Sequence, residues 1–259
     1  MPQANQEVAV KETKNDLAIA ASFEDDAVVG GFDDMTQEDL ALPFLKLLTN
    51  MSPEVGDVQG ASPGMIYNSV TGSLYSGTDG ITVIPCAYLR QYIEWAPRGS
   101  GGGGAPVAIH PATSDILSRT HKEPGDNRDY LDNGNYIENT ANHYVLVKDG
   151  DAFTPALIVM KSTQLKKSRK WNSMMMSVKL QGKNGLYTPP MYSQQYRLTV
   201  VSESNDKGKW HGWEIERIGS VETAGEYESA KAFANQIGAG EVNVKHQDEQ
   251  EQKSTNVPF

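Results

Sequence analysis

The chain has 259 residues, which is long enough for one large domain or two small ones with a sizeable core. Its 23 Lys and Arg against 33 Asp and Glu give a formal net charge of -10. No apolar run approaches the roughly 20 residues of a transmembrane helix, and the N-terminal sequence lacks a signal-peptide pattern. Cys86 is a lone cysteine, so an intrachain disulfide is excluded. We therefore expect a cytoplasmic protein without a membrane partner.

Residues 1–35 carry eight acids against Lys11 and Lys14, and they contain very few aromatic side chains. This composition predicts a disordered acidic arm. A purely solvating segment is the simpler interpretation. The alternative is an arm that competes with nucleic acid for a basic surface elsewhere in the chain.

The folded core is expected to span residues 36–222. The segment 81–95 is its clearest strand, because β-branched and aromatic side chains recur over its whole length. In its second half, period two places Tyr88, Arg90 and Tyr92 on one face and Trp95 on the other. Tyrosines flanking an arginine on an exposed sheet face are typical of a base-stacking platform. An amphipathic strand whose tyrosines only cover the core edge is the alternative.

Two regions between the predicted strands are rich in turn residues. Arg98 opens a glycine-rich segment, residues 98–105, without the Gly-Lys-Ser/Thr ending of a phosphate-binding loop; it is either a loop that closes over a ligand or a plain spacer. A long polar insertion is expected near residues 108–142. Its acids Asp126, Asp129 and Asp132, and Asp151 beyond it, lie where turns themselves favour aspartate.

The sequence contains no recognisable catalytic or metal-binding motif. The five histidines are scattered and there is one cysteine, so metal-ligand spacing is lacking. No nucleophile elbow, zinc-protease motif or calcium loop occurs. We therefore expect no catalytic residues, no metal, no cofactor and no enzymatic activity.

The next part of the chain alternates strands with one basic helix. Residues 143–148 and 154–160 predict paired strands, and residues 192–201 and 210–218 predict another hairpin. Between them an apolar stripe at helical spacing, from Trp171 to Val178, predicts a helix that Ser162 or Thr163 can cap. The class is therefore mainly β (α+β).

The stretch 152–202 contains eight Lys and Arg and not one Asp or Glu. Cations near the start of the predicted helix are unfavourable beside its dipole, and a bound phosphate would relieve that conflict. A solvated basic face is the alternative. The predicted nucleic-acid-binding residues, with those of the stacking strand, are Tyr88, Arg90, Tyr92, Trp95, Arg98, Lys161, Lys166, Lys167, Arg169, Lys170, Trp171, Lys179, Tyr196 and Arg197.

After a capping box at Thr223–Glu226, a C-terminal helix is expected over residues 223–240. Residues 241–259 have no apolar periodicity and predict a disordered tail, which ends in Val257-Pro258-Phe259. That ending resembles the tail tip of bacterial single-stranded DNA-binding proteins, although the acids here stand farther upstream, at Asp248, Glu249 and Glu251. The core, with its many strands, exposed aromatic residues and basic segment, resembles phage replication proteins of this type.

The resemblance implies an OB-like antiparallel β-barrel that coats single-stranded DNA without sequence specificity during phage or bacterial replication or recombination. It implies that Val257, Pro258 and Phe259 recruit replication or recombination proteins, in the host cytoplasm if a phage encodes the chain. A homo-oligomer is compatible with this function. The alternatives are a phage protein-interaction factor (inhibitor or virion component), a strand-annealing recombinase, and a nucleic-acid enzyme that uses the aspartates.

Overall fold

The computed structural model describes residues 39–97, 104–150, 152–206, 208–242 and 244, together with residues 31, 34 and 35. The chain divides into two units, residues 1–40 and 41–259. The strands and helices given below all belong to the second unit. The predicted acidic arm and most of the predicted tail lie outside the described residues, so both remain predictions.

Five long strands build one large antiparallel sheet. They are β4 (Ile81–Trp95), β7 (Tyr136–Asp149), β8 (Ala152–Lys161), β11 (Gln194–Asn205) and β12 (Gly208–Ser220). Their hydrogen-bonded order is β12-β11-β4-β7-β8. Long runs of β-branched and aromatic residues explain the length of the two central strands, β4 and β7.

Short strands extend this sheet and form two small ones. The short strands are β1 (Leu45–Leu47), β2 (Ile66–Asn68), β3 (Leu74–Tyr75), β5 (Ala108–Pro111), β6 (Asp129–Tyr130), β9 (Leu180–Gly182) and β10 (Gly185–Tyr187). β5 pairs with β4 and β6 pairs with β7. The first three short strands form a separate antiparallel sheet, and β9 and β10 form a hairpin.

The helices are α1 (Glu54–Asp57), α2 (Leu165–Ser177) and α3 (Ala224–Gly238), with single 3-10 turns at Ile116–Arg119, Ser162–Gln164 and Met191–Ser193. The predicted capping box is present in α3: the Thr223 side chain accepts from the Glu226 amide, and Glu226 accepts from the Thr223 amide. Neither Ser162 nor Thr163 caps α2. That prediction is wrong because the 3-10 turn leads directly into the helix.

The two longer helices cover opposite faces of the sheet. Trp171 and Met175 of α2 pack into a core with Val145, Ile158 and Leu198 from the strands. Phe233 and Ile237 of α3 pack against Tyr144 and Leu157, the strand residues next to Val145 and Ile158. Because successive strand residues point to opposite faces, the sheet lies between the two helices.

The mainly β class with antiparallel strands and few helices is confirmed. Among the described strands the hydrogen-bonded order ends at β8 on one side and β12 on the other, so the sheet is not closed into a barrel. Phe44, just before β1, forms an isolated parallel bridge with Leu157 of β8. The side chain of Gln164, just before α2, bonds to the backbone of His211 and Trp213 in β12. These contacts lie beside the two open edges.

Within the described part of the chain, no helix is both long enough and apolar enough to cross a membrane.

Candidate nucleic-acid interface

The row formed by Tyr88, Arg90 and Tyr92 lies on the face of the sheet against which α2 packs. Tyr88 pairs with His143 in register, and their ring centroids are 5.0 Å apart. The His143 ring stacks on Trp171 of α2 at 4.5 Å. The buried His143 ring therefore lies between Tyr88 and α2. Arg90 and Tyr92 follow Tyr88 along β4, on the same face. We call these three residues the tyrosine row.

Within the tyrosine row, Arg90 is the accessible member. It is exposed, its Nε donates to Oδ1 of Asn139 at 3.1 Å, and its guanidinium lies 5.3 Å from the centroid of the Tyr92 ring. Tyr92 is buried against Ile116 and Leu131 of the loop that precedes β7. Tyr88 is half-buried. The row therefore offers one exposed cation and part of one ring to a ligand.

Three of the predicted stacking or contact aromatics belong to the core. Trp95 lies on the face opposite the tyrosine row and is buried with Ile93 and Tyr136. Trp171 has an exposed fraction of 0%, and so does Tyr196. Their rings pack edge to face at 5.7 Å. Burial raises the pKa of Tyr196, so its hydroxyl stays neutral. These rings position the sheet and α2 and have no face open to a base.

Carboxylates of neighbouring strands neutralise much of the basic helix. Nζ of Lys167 lies 2.9 Å from Glu203 of β11 and 3.2 Å from Glu214 of β12, and Nζ of Lys170 lies 2.5 Å from Glu214. Lys161 lies 3.4 Å from Glu138 of β7. The stretch 152–202 has no acidic residue in its own sequence, but in the fold its lysines contact carboxylates of other strands. These contacts reduce its attraction for phosphate.

The pKa values follow from this network. Burial alone would lower the pKa of Lys167, but the hydrogen bonds and charges of Glu203 and Glu214 outweigh it and raise the pKa. The hydrogen bond from Lys167 holds the pKa of Glu203 below its usual range, and the bond from Lys170 does the same for Glu214. Lys167, Glu203 and Glu214 are therefore charged near neutral pH.

Lys166 and Arg169 are exposed cations of α2 that lie outside this ion-pair network. Neither forms a close ion pair within the described part of the chain, although the charge of Lys166 contributes to the lowered pKa of Glu203. They lie on the outward side of a helix whose inward side carries Ser168, Trp171 and Met175. We call Lys166 and Arg169 the basic ridge.

Two further predicted basic residues, Lys179 and Arg197, lie apart from the basic ridge. Lys179 follows α2 and donates to Oγ1 of Thr188. Arg197 is exposed and donates to the Asp79 carbonyl at 2.8 Å. Because Tyr196 points into the α2-side core, Arg197 points to the opposite face. The structure therefore does not bring Arg197 together with the basic ridge.

Among the carboxylates considered as metal ligands, Asp126 and Asp129 have a cationic neighbour and Asp132 lies near a histidine. Asp126 lies 3.3 Å from Arg128, Asp129 lies 2.8 Å from Lys122, and Asp132 lies 3.8 Å from His121. Among the residues that the structure describes, no group of three or more potential ligands converges. Asp151, Arg98 and the terminal Val257, Pro258 and Phe259 lie outside those residues, and their roles remain predictions.

Sequence reasoning missed His143, Glu203 and Glu214. Burial lowers the pKa of His143 to about 3, and its Nε2 lies 2.8 Å from Oγ of Ser168 in α2. No spacing pattern could have indicated the two glutamates, because they lie 33 or more residues beyond Lys170. Only the sheet order brings them to the helix.

A family model described as Pam3 phage gp34-like protein matches residues 11–243 of the chain. No curated protein and no solved structure is similar enough to match. The family match covers most of the chain, including every long strand and both longer helices. The chain therefore belongs to the Pam3 phage gp34-like protein family.

Proposed function

We propose that this phage protein binds single-stranded DNA without sequence specificity and coats it during replication or recombination in the host cytoplasm. The observation that carries the proposal is the basic ridge: two exposed cations without carboxylate partners, on the helix that packs against the face of the tyrosine row. No catalytic step is part of this function. The C-terminal tail would recruit partner enzymes.

The connectivity of the sheet supports this choice. Numbered in chain order, the five long strands are arranged 5-4-1-2-3, with α2 between the third and the fourth. Oligonucleotide-binding proteins often use a partly open five-stranded Greek-key barrel. In such folds the loop between the first two strands contacts nucleic acid. Here that loop spans residues 96–135 and includes Arg98.

Phosphate contacts and partial stacking are sufficient for a non-specific binder. Each phosphate neutralised by Lys or Arg releases counterions, which supplies affinity for any sequence. Stacking of a base on an aromatic ring is also sequence-tolerant, because every base has a π-face. Lys166, Arg169 and Arg90 would track the backbone, and the exposed part of Tyr88 would contact a base.

Replacement of Arg90 by glutamine tests the proposal. Wild-type protein is expected to bind a labelled oligo(dT) more tightly than a matched duplex, as measured by fluorescence anisotropy at low salt. The Arg90→Gln variant should bind oligo(dT) about 5- to 10-fold more weakly, and the slope of log K against log salt should fall by about 0.7. The loss of one phosphate contact causes both changes.

Lys231→Gln is a control for net charge: it removes one positive charge from α3 on the opposite side of the sheet, where Lys231 lies 3.6 Å from Glu228. This variant should bind like the wild type. Equal losses in both variants would mean that only net charge matters and would contradict a site at the tyrosine row. Magnesium-dependent cleavage of the oligonucleotide would instead favour an enzyme, and binding of a protein partner without DNA binding would favour an interaction factor.

A further inference from the structure

The β9–β10 hairpin is the most exposed ordered element that follows the basic helix. Every residue of β10 is exposed, including Leu186 with an exposed fraction of 72% and Tyr187 with 48%. A two-stranded hairpin alone is marginally stable in water. The hairpin therefore presents two large side chains to solvent, of which the Tyr187 ring is the one able to stack on a base.

The Tyr187 ring lies with one edge beside Gly182 of the neighbouring strand. A Cβ placed on Gly182 would lie 3.1 Å from Cδ1 and 3.2 Å from Cε1 of Tyr187. Since Gly182 lacks that atom, the ring can lie against the neighbouring strand. About half of the Tyr187 side chain is exposed, and that surface is available to a ligand.

The charges around this ring indicate what covers it. Lys183 is exposed in the turn between the two strands, and Lys179 donates to Thr188 at the base of the hairpin. Within the described part of the chain, neither lysine forms an ion pair with a carboxylate, unlike Lys161, Lys167 and Lys170. The hairpin also follows directly from the C-terminal end of α2. An anionic, base-bearing strand fits this combination better than an apolar protein surface does.

We propose that the β9–β10 hairpin is a second contact arm for single-stranded nucleic acid, on which an unpaired base stacks against Tyr187 while Lys179 and Lys183 bind flanking phosphates. This assignment rests on the proposed function and extends the contact surface beyond the basic ridge. Leu186, at the neighbouring position of β10, points to the opposite face of the hairpin and takes no part in this contact. None of these contacts reads base identity.

The test uses the full chain and labelled oligo(dT). Tyr187→Ala should weaken binding by about 5- to 150-fold, the range expected for the loss of one stacked base. Tyr187→Phe keeps the ring and should bind within about 2-fold of the wild type. Lys183→Gln should reduce the slope of log K against log salt by about 0.7. Circular dichroism and light scattering verify folding and oligomeric state for each variant.

The outcomes separate this inference from the proposed function. If wild-type protein binds oligo(dT) and Tyr187→Ala binds equally well, the hairpin arm is refuted and the proposed function stands. If Tyr187→Ala converts an oligomer into a monomer, the hairpin is a contact between copies of the chain and the inference is refuted. Failure of the wild type to bind refutes both. Selective loss in Tyr187→Ala, with retention in Tyr187→Phe, supports the arm.

Discussion

Replacement of both Lys166 and Arg169 by glutamate is expected to weaken binding of single-stranded DNA by about 100- to 1,000-fold at low salt. The substitutions remove two phosphate contacts and introduce repulsion at the same positions. Both side chains point to solvent, so the fold should be retained. Anisotropy titration of labelled oligo(dT) measures the affinity, and thermal unfolding verifies the fold.

The adjacent Lys170 provides a control for Arg169, because Lys170 is a cation of the same helix that forms an ion pair with a carboxylate. Lys170 already contacts Glu214 at 2.5 Å, whereas Arg169 has no carboxylate partner in the described residues. Arg169→Gln should therefore reduce the salt slope by about 0.7, and Lys170→Gln should change it little. If the two substitutions had equal effects, the ion pair with Glu214 would not keep Lys170 from binding phosphate. That result would contradict a binding surface limited to Lys166 and Arg169.

Acidification is expected to destabilise the fold through His143. Its pKa in the folded protein is about 3, compared with an ordinary value of 6.5. Above pH 6.5 the imidazole is neutral in both states and contributes no pH dependence. As the pH falls from 6.5 towards 3, only the unfolded chain binds the proton, so stability falls. At about 1.4 kcal/mol per pK unit, the loss approaches about 5 kcal/mol.

The double variant His143→Phe with Ser168→Ala isolates this contribution. The phenyl ring can remain between Tyr88 and Trp171, and the second substitution removes the hydroxyl that the imidazole contacted. Urea unfolding from pH 7 to pH 3.5 should show a smaller fall in stability for the double variant than for the wild type. His121→Gln, at an exposed histidine, should behave like the wild type. Identical pH profiles for wild type and double variant would mean that His143 titrates normally in the fold.

Much of the fold could be predicted because its long strands have strong local signals. The predicted strand 81–95 coincides with β4, and the predicted basic helix contains α2. The predicted polar insertion near 108–142 includes the segment 136–142, which is itself rich in polar residues. In the structure this segment belongs to β7. There Asn142 donates to Gln91 and Glu138 pairs with Lys161.

The candidate site was harder to predict than the fold, because charge and burial depend on sheet order. Lys167 and Lys170 look free in sequence, and the carboxylates that pair with them arrive with β11 and β12. Trp171 was predicted to contact nucleic acid as well as to form part of an apolar stripe, and its complete burial supports the second role. The hairpin turn at Gly182–Gly185 had a usable signal in its two glycines, but the exposure of Tyr187 required the structure.

The most direct test of the DNA-binding surface is the salt dependence of oligo(dT) binding by the wild type, with a matched duplex in parallel. A labelled oligonucleotide is the better probe, because Trp95, Trp171 and Trp213 are buried and their emission would respond weakly. At about 0.7 per phosphate contact, Arg90, Lys166 and Arg169 predict a slope near -2, and Lys179 and Lys183 extend it to about -3.5. Preference for the single strand with such a slope supports the proposed surface. No binding at low salt, or tighter binding of the duplex, would contradict it.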